Sequence, residues 1–452
     1  MVLLSSCDDG GALSGGREPD NKDSTSVTTA DTGCFPEPDE EEPLASEVRD
    51  PMLTYFGSRS LVDSEAESFF ISSYEKKYCS EFIDKMTGKY TYPDGRDVIQ
   101  HVYCSESALN DRLSELIVSD SSPDLVDYRA ESIPYLSTKN FYEDLSEYID
   151  LEAEHFNTGL RRSIIESYRY NDRVYYLPWE YNVSPQLLCY DRSVTEAFGF
   201  ADPYSLWKRG EWSWTGIVGM LDGFATYYEE CAPLYGDRIG EALLASGGAS
   251  FVTLDESGKL SRGAALSAAH SEYISTMRKY IHNGNTASLS DERVLFHSFD
   301  MDDLTGYRAK HPDADIAAVP YPSEDGAVPF YRVETFGYLV PKGSKNIDGA
   351  TCFINLCVNF SQPGTDNGYD EIVWSEAAEQ DRELLYKLLD GDEGQYVVDF
   401  GYGLPKEFSD STAQMFRQLI SYGEEQPSPD AVIEEHYALI EEAIAEINYL
   451  MT

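Results

Sequence analysis

Pro123-Asp124-Leu125-Val126-Asp127 is the stretch on which the fold turns. It reads as a short strand, and it completes an alternation. Upstream, Met52-Leu53-Thr54-Tyr55-Phe56 reads as a strand ending at Gly57, followed by a helical stretch from about Asp63 to Met86. Val98–Cys104 is a second strand. Ser107–Val118 is then a helix, because Leu109, Leu113, Leu116 and Ile117 form an apolar stripe at helical spacing. Strands separated by helices of this length predict βαβ units and a mostly parallel sheet.

Downstream the chain becomes rich in tyrosine. Tyr170-Asn171-Asp172-Arg173-Val174-Tyr175-Tyr176-Leu177-Pro178 reads as a hairpin turning at Asn171-Asp172, and Val183–Tyr190 as an apolar strand. Trp212-Ser213-Trp214-Thr215 opens a helix, with Ser213 or Thr215 as its N-cap. Phe251–Leu260 is hairpin-like around Ser257-Gly258, and a long helix is expected over Gly263–His282. Strand-like pieces follow at Val294–Phe299, Ile316–Val319 and Phe336–Pro341, then helices at Asp348–Asn359 and Ala431–Leu450. There is no internal repeat.

Composition bounds what such a chain does. Its 452 residues have room for two or three domains, and 42% hydrophobic with 13% aromatic residues excludes global disorder. A formal charge of −47 argues against nucleic acid, because phosphate binding needs lysine and arginine clusters. Between Asp8 and Asp50 there are 13 acids and three bases, so most of the acidity belongs to the folded part. Residues 8–50 have few large apolar side chains and are expected to be a disordered acidic tether spanning roughly 35–40 Å. No run of 18 apolar residues occurs.

Catalytic and metal motifs are missing from the pattern. The sequence has no GxSxG, HExxH, GxxxxGK[ST] or CxxC, and its seven histidines are scattered without metal spacing. No cofactor, metal ligand or catalytic residue is therefore expected. Eight cysteines without cluster spacing are expected to be mostly free, buried thiols.

A series of segments in fixed order carries more information. Pro123-Asp124-Leu125-Val126, Tyr175-Tyr176-Leu177-Pro178, Leu188-Cys189-Tyr190-Asp191-Arg192, Trp212-Ser213-Trp214-Thr215 and Gly337-Tyr338-Leu339-Val340-Pro341-Lys342-Gly343-Ser344-Lys345-Asn346 together resemble the family 1 extracellular solute-binding proteins. Those are the ligand-capturing lipoproteins of ABC importers, many of them sugar-specific. The chain departs from that pattern at Asp191, where Asn is usual, at Ser298-Phe299-Asp300, where a Gly-rich turn is common, and in long helices after Thr412. The resemblance implies an α/β, two-lobed periplasmic-binding-protein-like fold with hinge crossovers. Lobe 1 would comprise 51–180 plus 330–398, and lobe 2 would comprise 185–325 plus 400–452. It also implies membrane permease subunits as partners and an extracellular location.

Solute groups are then expected on loops at the carboxyl ends of the strands, where open α/β sheets bind ligands. That rule points to Phe56-Gly57-Ser58, Ser105-Glu106, Asp127-Tyr128, Gly247-Gly248 and Ser298–Asp300. The resemblance adds the crossover residues Trp179, Glu180, Tyr181 and Asn182, and Arg332 and Glu334 before the returning strand. A sugar or oligosaccharide needs flat aromatic faces beside carboxylates, amides and guanidinium groups, and these residues supply them. Trp214 is a further candidate, although it also reads as packing at its helix start. A secreted carbohydrate-active enzyme and a non-transport surface receptor on the same fold are the alternatives. Finally, Leu4-Ser5-Ser6-Cys7 resembles a lipobox, which makes Cys7 the expected lipidation site and anchor at the outer face of a bacterial cell membrane. Met1-Val2-Leu3 is then the remnant of a signal segment, from a start further upstream or a trimmed chain. An ordinary exposed cysteine is the other reading.

Overall fold

Leu53 to Gly57 alternate toward two different cores: Tyr55 packs with Phe70 and Tyr338, whereas Phe56 packs with Leu113 and Val126. A strand covered on both faces belongs inside an α/β layer. The computed structural model describes residues 50–153, 156, 159–169, 172–182, 186–228, 231–255, 258–281, 293–326, 330–361, 379–389, 395–423 and 425–450. Cys7 and the tether up to residue 49 lie outside the described residues.

In chain order the strands are β1 (Leu53–Gly57), β2 (Ile99–Tyr103), β3 (Leu125–Asp127), β4 (Leu177–Asn182), β5 (Leu187–Asp191), β6 (Leu234–Gly236) and β7 (Val252–Leu254). They continue as β8 (Leu260–Arg262), β9 (Phe296–Phe299), β10 (Ile316–Pro320), β11 (Phe330–Arg332), β12 (Glu334–Leu339) and β13 (Gln395–Val397). The first lobe is built on a sheet of order β2-β1-β3-β12-β4, the second on β10-β5-β9-β6. β1 is parallel to β2 and β3, as expected from the sequence. The sheets as a whole are mixed, which corrects the expectation of mostly parallel pairing. β4 leaves the first lobe and β12 returns to it, so the two lie antiparallel, and β5 and β10 are antiparallel for the same reason. Asn182 pairs with Glu334, so two crossovers run side by side.

Of the hairpin expected at 170–178, residues 170 and 171 lie outside the described residues; Asp172 has φ +59°, and β4 finds its partner in β12. The helix expected over 63–86 stops at Tyr78, and the one expected over 263–282 spans Ala268–Met277, capped by Ser267.

The segments that carried the resemblance hold the fold together. Asp124 accepts from Thr54 N (2.8 Å) and from Ser344 Oγ (2.8 Å), joining the start of β3 to β1 and to the loop before the helix Ile347–Phe360. Asn346 caps that helix at Gly349 N (3.1 Å). Asp191 caps the helix Arg192–Ala197 through Ser193 N (2.8 Å), a task that Asp and Asn perform equally well. Ser213 caps Trp214–Ala225, and Trp212 Nε1 donates to Pro320 O (2.9 Å).

One part of the expected division is corrected. Residues 330–333, 379–389 and 395–397, expected in lobe 1, pack on lobe 2. Arg332 pairs with Glu241 of the helix Ile239–Ala245, and β11 pairs with β13. In the helix Glu379–Leu389, Asp381 takes the Arg308 guanidinium, Gln380 takes Arg192 (2.8 Å) and Glu383 takes Lys208 (2.6 Å). These cations are spread along lobe 2, so the helix travels with it.

Candidate functional site

The carboxyl ends of β1 and β3 open onto a cavity of about 240 Å³ in the first lobe. Phe56, Gly57, Ser58, Glu106, Asp127 and Tyr128, all singled out from the sequence, line it together. Parallel pairing of β1 with β3 brings the two loops side by side. Four further lining residues, Arg59, Asn110, Arg129 and Tyr142, were missed. Arg59 and Arg129 each stand one residue beyond a loop that was read, so extending each loop by one residue would have found both.

Around this cavity the charges are closely paired. Arg59 Nε and Nη2 donate to the two Asp127 oxygens (3.0 and 2.9 Å), while Nη1 and Nη2 donate to buried Glu67 (2.5 and 2.7 Å). Tyr55 donates to Asp127 (2.6 Å), Tyr338 donates to Glu67, and Arg59 lies 4.7 Å over the Phe336 ring. Burial alone would lower the Arg59 pKa, but Glu67 and Asp127 outweigh it and hold the guanidinium charged. The Tyr55 hydroxyl is pushed up by burial and by the Asp127 carboxylate, so it stays a donor. Arg129 sits between Glu106 (3.2 Å) and Glu131 (3.0 Å), Ser58 donates to Glu106 (2.6 Å), and Asn110 donates to Glu131 (3.2 Å).

Tyr128 begins an aromatic wall at the lobe boundary. Its ring stacks on Tyr176 (4.1 Å) and meets Tyr168 edge-on, and Tyr168 in turn meets Phe400 of the second lobe edge-on (5.6 Å). Thr335 ties Tyr176 and Tyr168 together through its hydroxyl (3.0 and 3.2 Å). Beyond Phe400 lies a larger open cavity of about 870 Å³ between the lobes. Glu166 and Arg169 line it from the first lobe, Gly248 and Asp255 from the second, and Gln395 and Tyr396 from β13. Gly248 is the sequence-derived candidate that reaches it. Its φ of +74° and the nearby Phe330 ring leave no room for a side chain.

Of the other candidates, Arg332, Ser298, Trp214 and Trp179 line neither cavity. Arg332 is committed to Glu241, which also accepts from Tyr402 (2.9 Å) and Arg238 (2.9 Å). Burial pushes the neighbouring Asp399 carboxyl up against the pull of Arg332. Ser298 is buried, donates to Gln186 Oε1 (3.1 Å) and accepts from Tyr321 (2.8 Å). The room a Gly-rich turn would provide there comes instead from Gly236, whose added Cβ would meet Ser298 O at 2.3 Å. Trp214 is buried in a stack with Tyr273 (4.6 Å) and His270 (5.1 Å). Trp179 is 2% exposed, in the first lobe's core between the edges of Phe70 and Phe336. The backbones of Glu180, Tyr181 and Asn182 pair with β12 at the crossover, Asn182 with Glu334. The side chains of these four residues lie outside the described set. Among the described residues no cluster could hold a metal ion, no helix is long and apolar enough to cross a membrane, and six cysteines are free.

Two lobes joined by paired crossovers, with one cavity at the strand ends of the first lobe and a larger one between the two, define a solute-capturing class of fold. Residues 81–362, more than half of the chain, match the family described as bacterial extracellular solute-binding protein, and the chain belongs to that family. Family membership places it outside the cytoplasm, extracellular or periplasmic. No curated protein matches it. Among solved structures it is similar to the sugar-binding protein MalE of Xanthomonas citri, with a TM-score of 0.61 at 12% identity, covering 88% of this chain and 98% of that one. It is also similar to the cyclic alpha-maltosyl-1,6-maltose binding protein of Arthrobacter globiformis (TM-score 0.58, 12% identity, 87% and 99% covered). UgpB from Mycobacterium tuberculosis, in complex with glycerophosphocholine, shares the fold as well (TM-score 0.57, 14% identity, 87% and 99% covered). At these identities the likeness is one of fold.

Proposed function

We propose that the chain is the solute-binding subunit of an ABC importer and captures a carbohydrate between its lobes, anchored through a lipid on Cys7. The observation that carries the carbohydrate reading is the first-lobe cavity. Aromatic rings at Tyr128 and Phe336 stand beside Asp127 and Glu106 carboxylates, the Asn110 amide and two guanidinium groups. Sugar hydroxyls need that mixture of donors and acceptors, and the apolar faces of a sugar ring need the aromatics. The larger cavity behind Phe400 extends the polar surface between the lobes and would accommodate further rings. The sugar ligands in the names of the Xanthomonas and Arthrobacter proteins support the reading. Asp127 and Tyr128 are the proposed solute contacts, joined by Arg59, Asn110 and Arg129; Gly248 lies at the larger cavity, and Trp179 acts as packing. The crossover segment 180–182 and Glu334 are proposed as the hinge on which the lobes close.

A second reading rests on UgpB: the same fold holds glycerophosphocholine there, so a non-sugar solute is the competing class. A thermal-shift screen of residues 8–452 against mono- and oligosaccharides, with glycerophosphocholine, amino acids and polyamines beside them, separates the two. A ligand at 100 times its Kd adds about 2.7 kcal/mol, a shift of roughly 2–4 °C for a chain of this size. A sugar that stabilises the protein and is recovered chemically unchanged supports capture. A sugar consumed on incubation, or stabilisation only by a non-sugar, refutes it.

A further inference from the structure

Both arginines at the first-lobe cavity are already engaged. Four of the five N–H donors of Arg59 go to Glu67 and Asp127, and Arg129 is shared between Glu106 and Glu131. Counting Glu67 and Glu131 behind the lining, the two cations stand among four carboxylates, and among the described residues no other lysine or arginine lines the cavity to meet an anionic ligand. A solute carrying a carboxylate, phosphate or sulfate would have to displace one of these ion pairs, or be held against the excess negative charge. The surface of the whole protein, at −47 overall, repels it further on approach. A neutral hydroxyl meets no such obstacle. Asp127 still has acceptor capacity toward it, because three donors occupy its two oxygens, and Arg59 retains one N–H.

Resting on the carbohydrate reading above, we propose that Glu106 and Glu131 are specificity-determining residues. By pairing with Arg129 Nη2 and setting two negative charges against its one positive charge, they reject acidic sugars and sugar phosphates and reserve the cavity for uncharged rings. This is discrimination by repulsion as well as by fit. The arrangement is legible only in three dimensions, since Glu106 lies beyond β2 and Glu131 beyond β3.

The test is calorimetric titration with matched pairs that differ in charge: galactose and galacturonate, glucose and glucose 6-phosphate, maltotriose and its uronate-terminated analogue, with glycerophosphocholine as a non-sugar probe. In the wild type, at least one neutral sugar should bind about tenfold or more tighter than its anionic partner, the scale of one close like-charge contact. Glu131→Gln should narrow that gap by strengthening the anionic member while leaving the neutral one within about threefold. Glu106 is mostly exposed, so Glu106→Gln provides a second variant with little risk to folding and should likewise strengthen binding of the anionic member relative to the neutral one. Equal or preferred binding of an anionic sugar by the wild type overturns the proposal but leaves carbohydrate capture standing. Unchanged discrimination in both variants overturns the roles of the two glutamates. Binding of glycerophosphocholine alone, or of nothing, overturns the carbohydrate reading and the proposal with it.

Discussion

Gly403→Ala tests whether the lobes are held together by the contact seen here. Gly403 follows Tyr402 in a turn of the second lobe that abuts Ala130–Pro134 of the first. A Cβ added there would lie 2.9 Å from Ile133 O and 3.0 Å from Ala130 O, both main-chain atoms that cannot rotate aside. Neither side yields easily. Ser132 N is bonded to Arg129 O (2.8 Å) in the first lobe, while Gly403 N is bonded to Phe400 O (2.8 Å) and Thr412 Oγ1 to Gly401 O (3.0 Å) in the second. Overpacking of this kind costs about 1–3 kcal/mol. Parting the lobes relieves the clash without breaking either turn, so the cost falls on the arrangement seen here and shifts it against a more parted one by about 5–150-fold. Spin labels at exposed Met86 in the first lobe and exposed Tyr227 in the second report the change as a longer, broader distance distribution. The thermal midpoint should barely move. A lowered midpoint with an unchanged distance distribution would refute the reasoning, because the contact would then belong to a fixed fold and not to a hinge.

Other consequences are more local. Trp179→Ala empties the space between Phe70, Phe336 and Tyr338 and should destabilise the fold by about 3–5 kcal/mol in urea unfolding; a loss under about 1 kcal/mol would contradict its core placement. Asp381→Asn removes the buried carboxylate that pairs with half-buried Arg308 and should cost about 1.5–3 kcal/mol, releasing the helix Glu379–Leu389 to proteolysis before the rest. Burial pushes the His270 imidazole, whose Nε2 donates to Leu243 O (2.8 Å), below its usual range. The unfolded chain therefore takes up the proton first. This contribution to stability is complete above pH 6.5 and is lost as the pH falls through that value toward the folded pKa. Comparing unfolding midpoints at roughly pH 7.5 and 5.5 checks this: the wild type should drop, His270→Gln should drop less, and equal drops would count against it.

How much was legible follows from where each interaction reaches. Asn346, Asp191 and Ser213 cap helices that begin within a few residues, so their spacing carries their role. Asp124 and Ser344 are 220 positions apart, yet each sits in a run of recognisable order, and the pair anchors the first-lobe sheet. The cavity loops at Gly57 and Asp127 followed from strand direction alone. The mostly parallel sheet did not survive, because chain alternation says nothing about a strand that enters from another lobe. The lobe assignment of 379–389 failed for a related reason: the three basic partners of that helix lie between residues 192 and 308, and no local pattern links them.

Trp179 shows why solute contacts were harder to read than the fold. An aromatic at a crossover suits a sugar face and a core equally well, and composition cannot separate the two in a chain with 33 tyrosines. Strand alternation could have helped. Leu177 and Trp179 share one face of β4, so a leucine committed to the core carries the tryptophan with it, and both are buried with Tyr338. The groups that do meet at the cavity are paired over long separations, Arg59 with Asp127 across 68 positions. Each such pair decides what its members can still bind. An arginine read alone promises an anion site, whereas the same arginine between two carboxylates has little left to offer an anion. On the proposal made above, charge selectivity in this chain is set by partners the sequence does not place beside the residue, and it follows from the pairing geometry of the lobe more than from the identity of any one side chain.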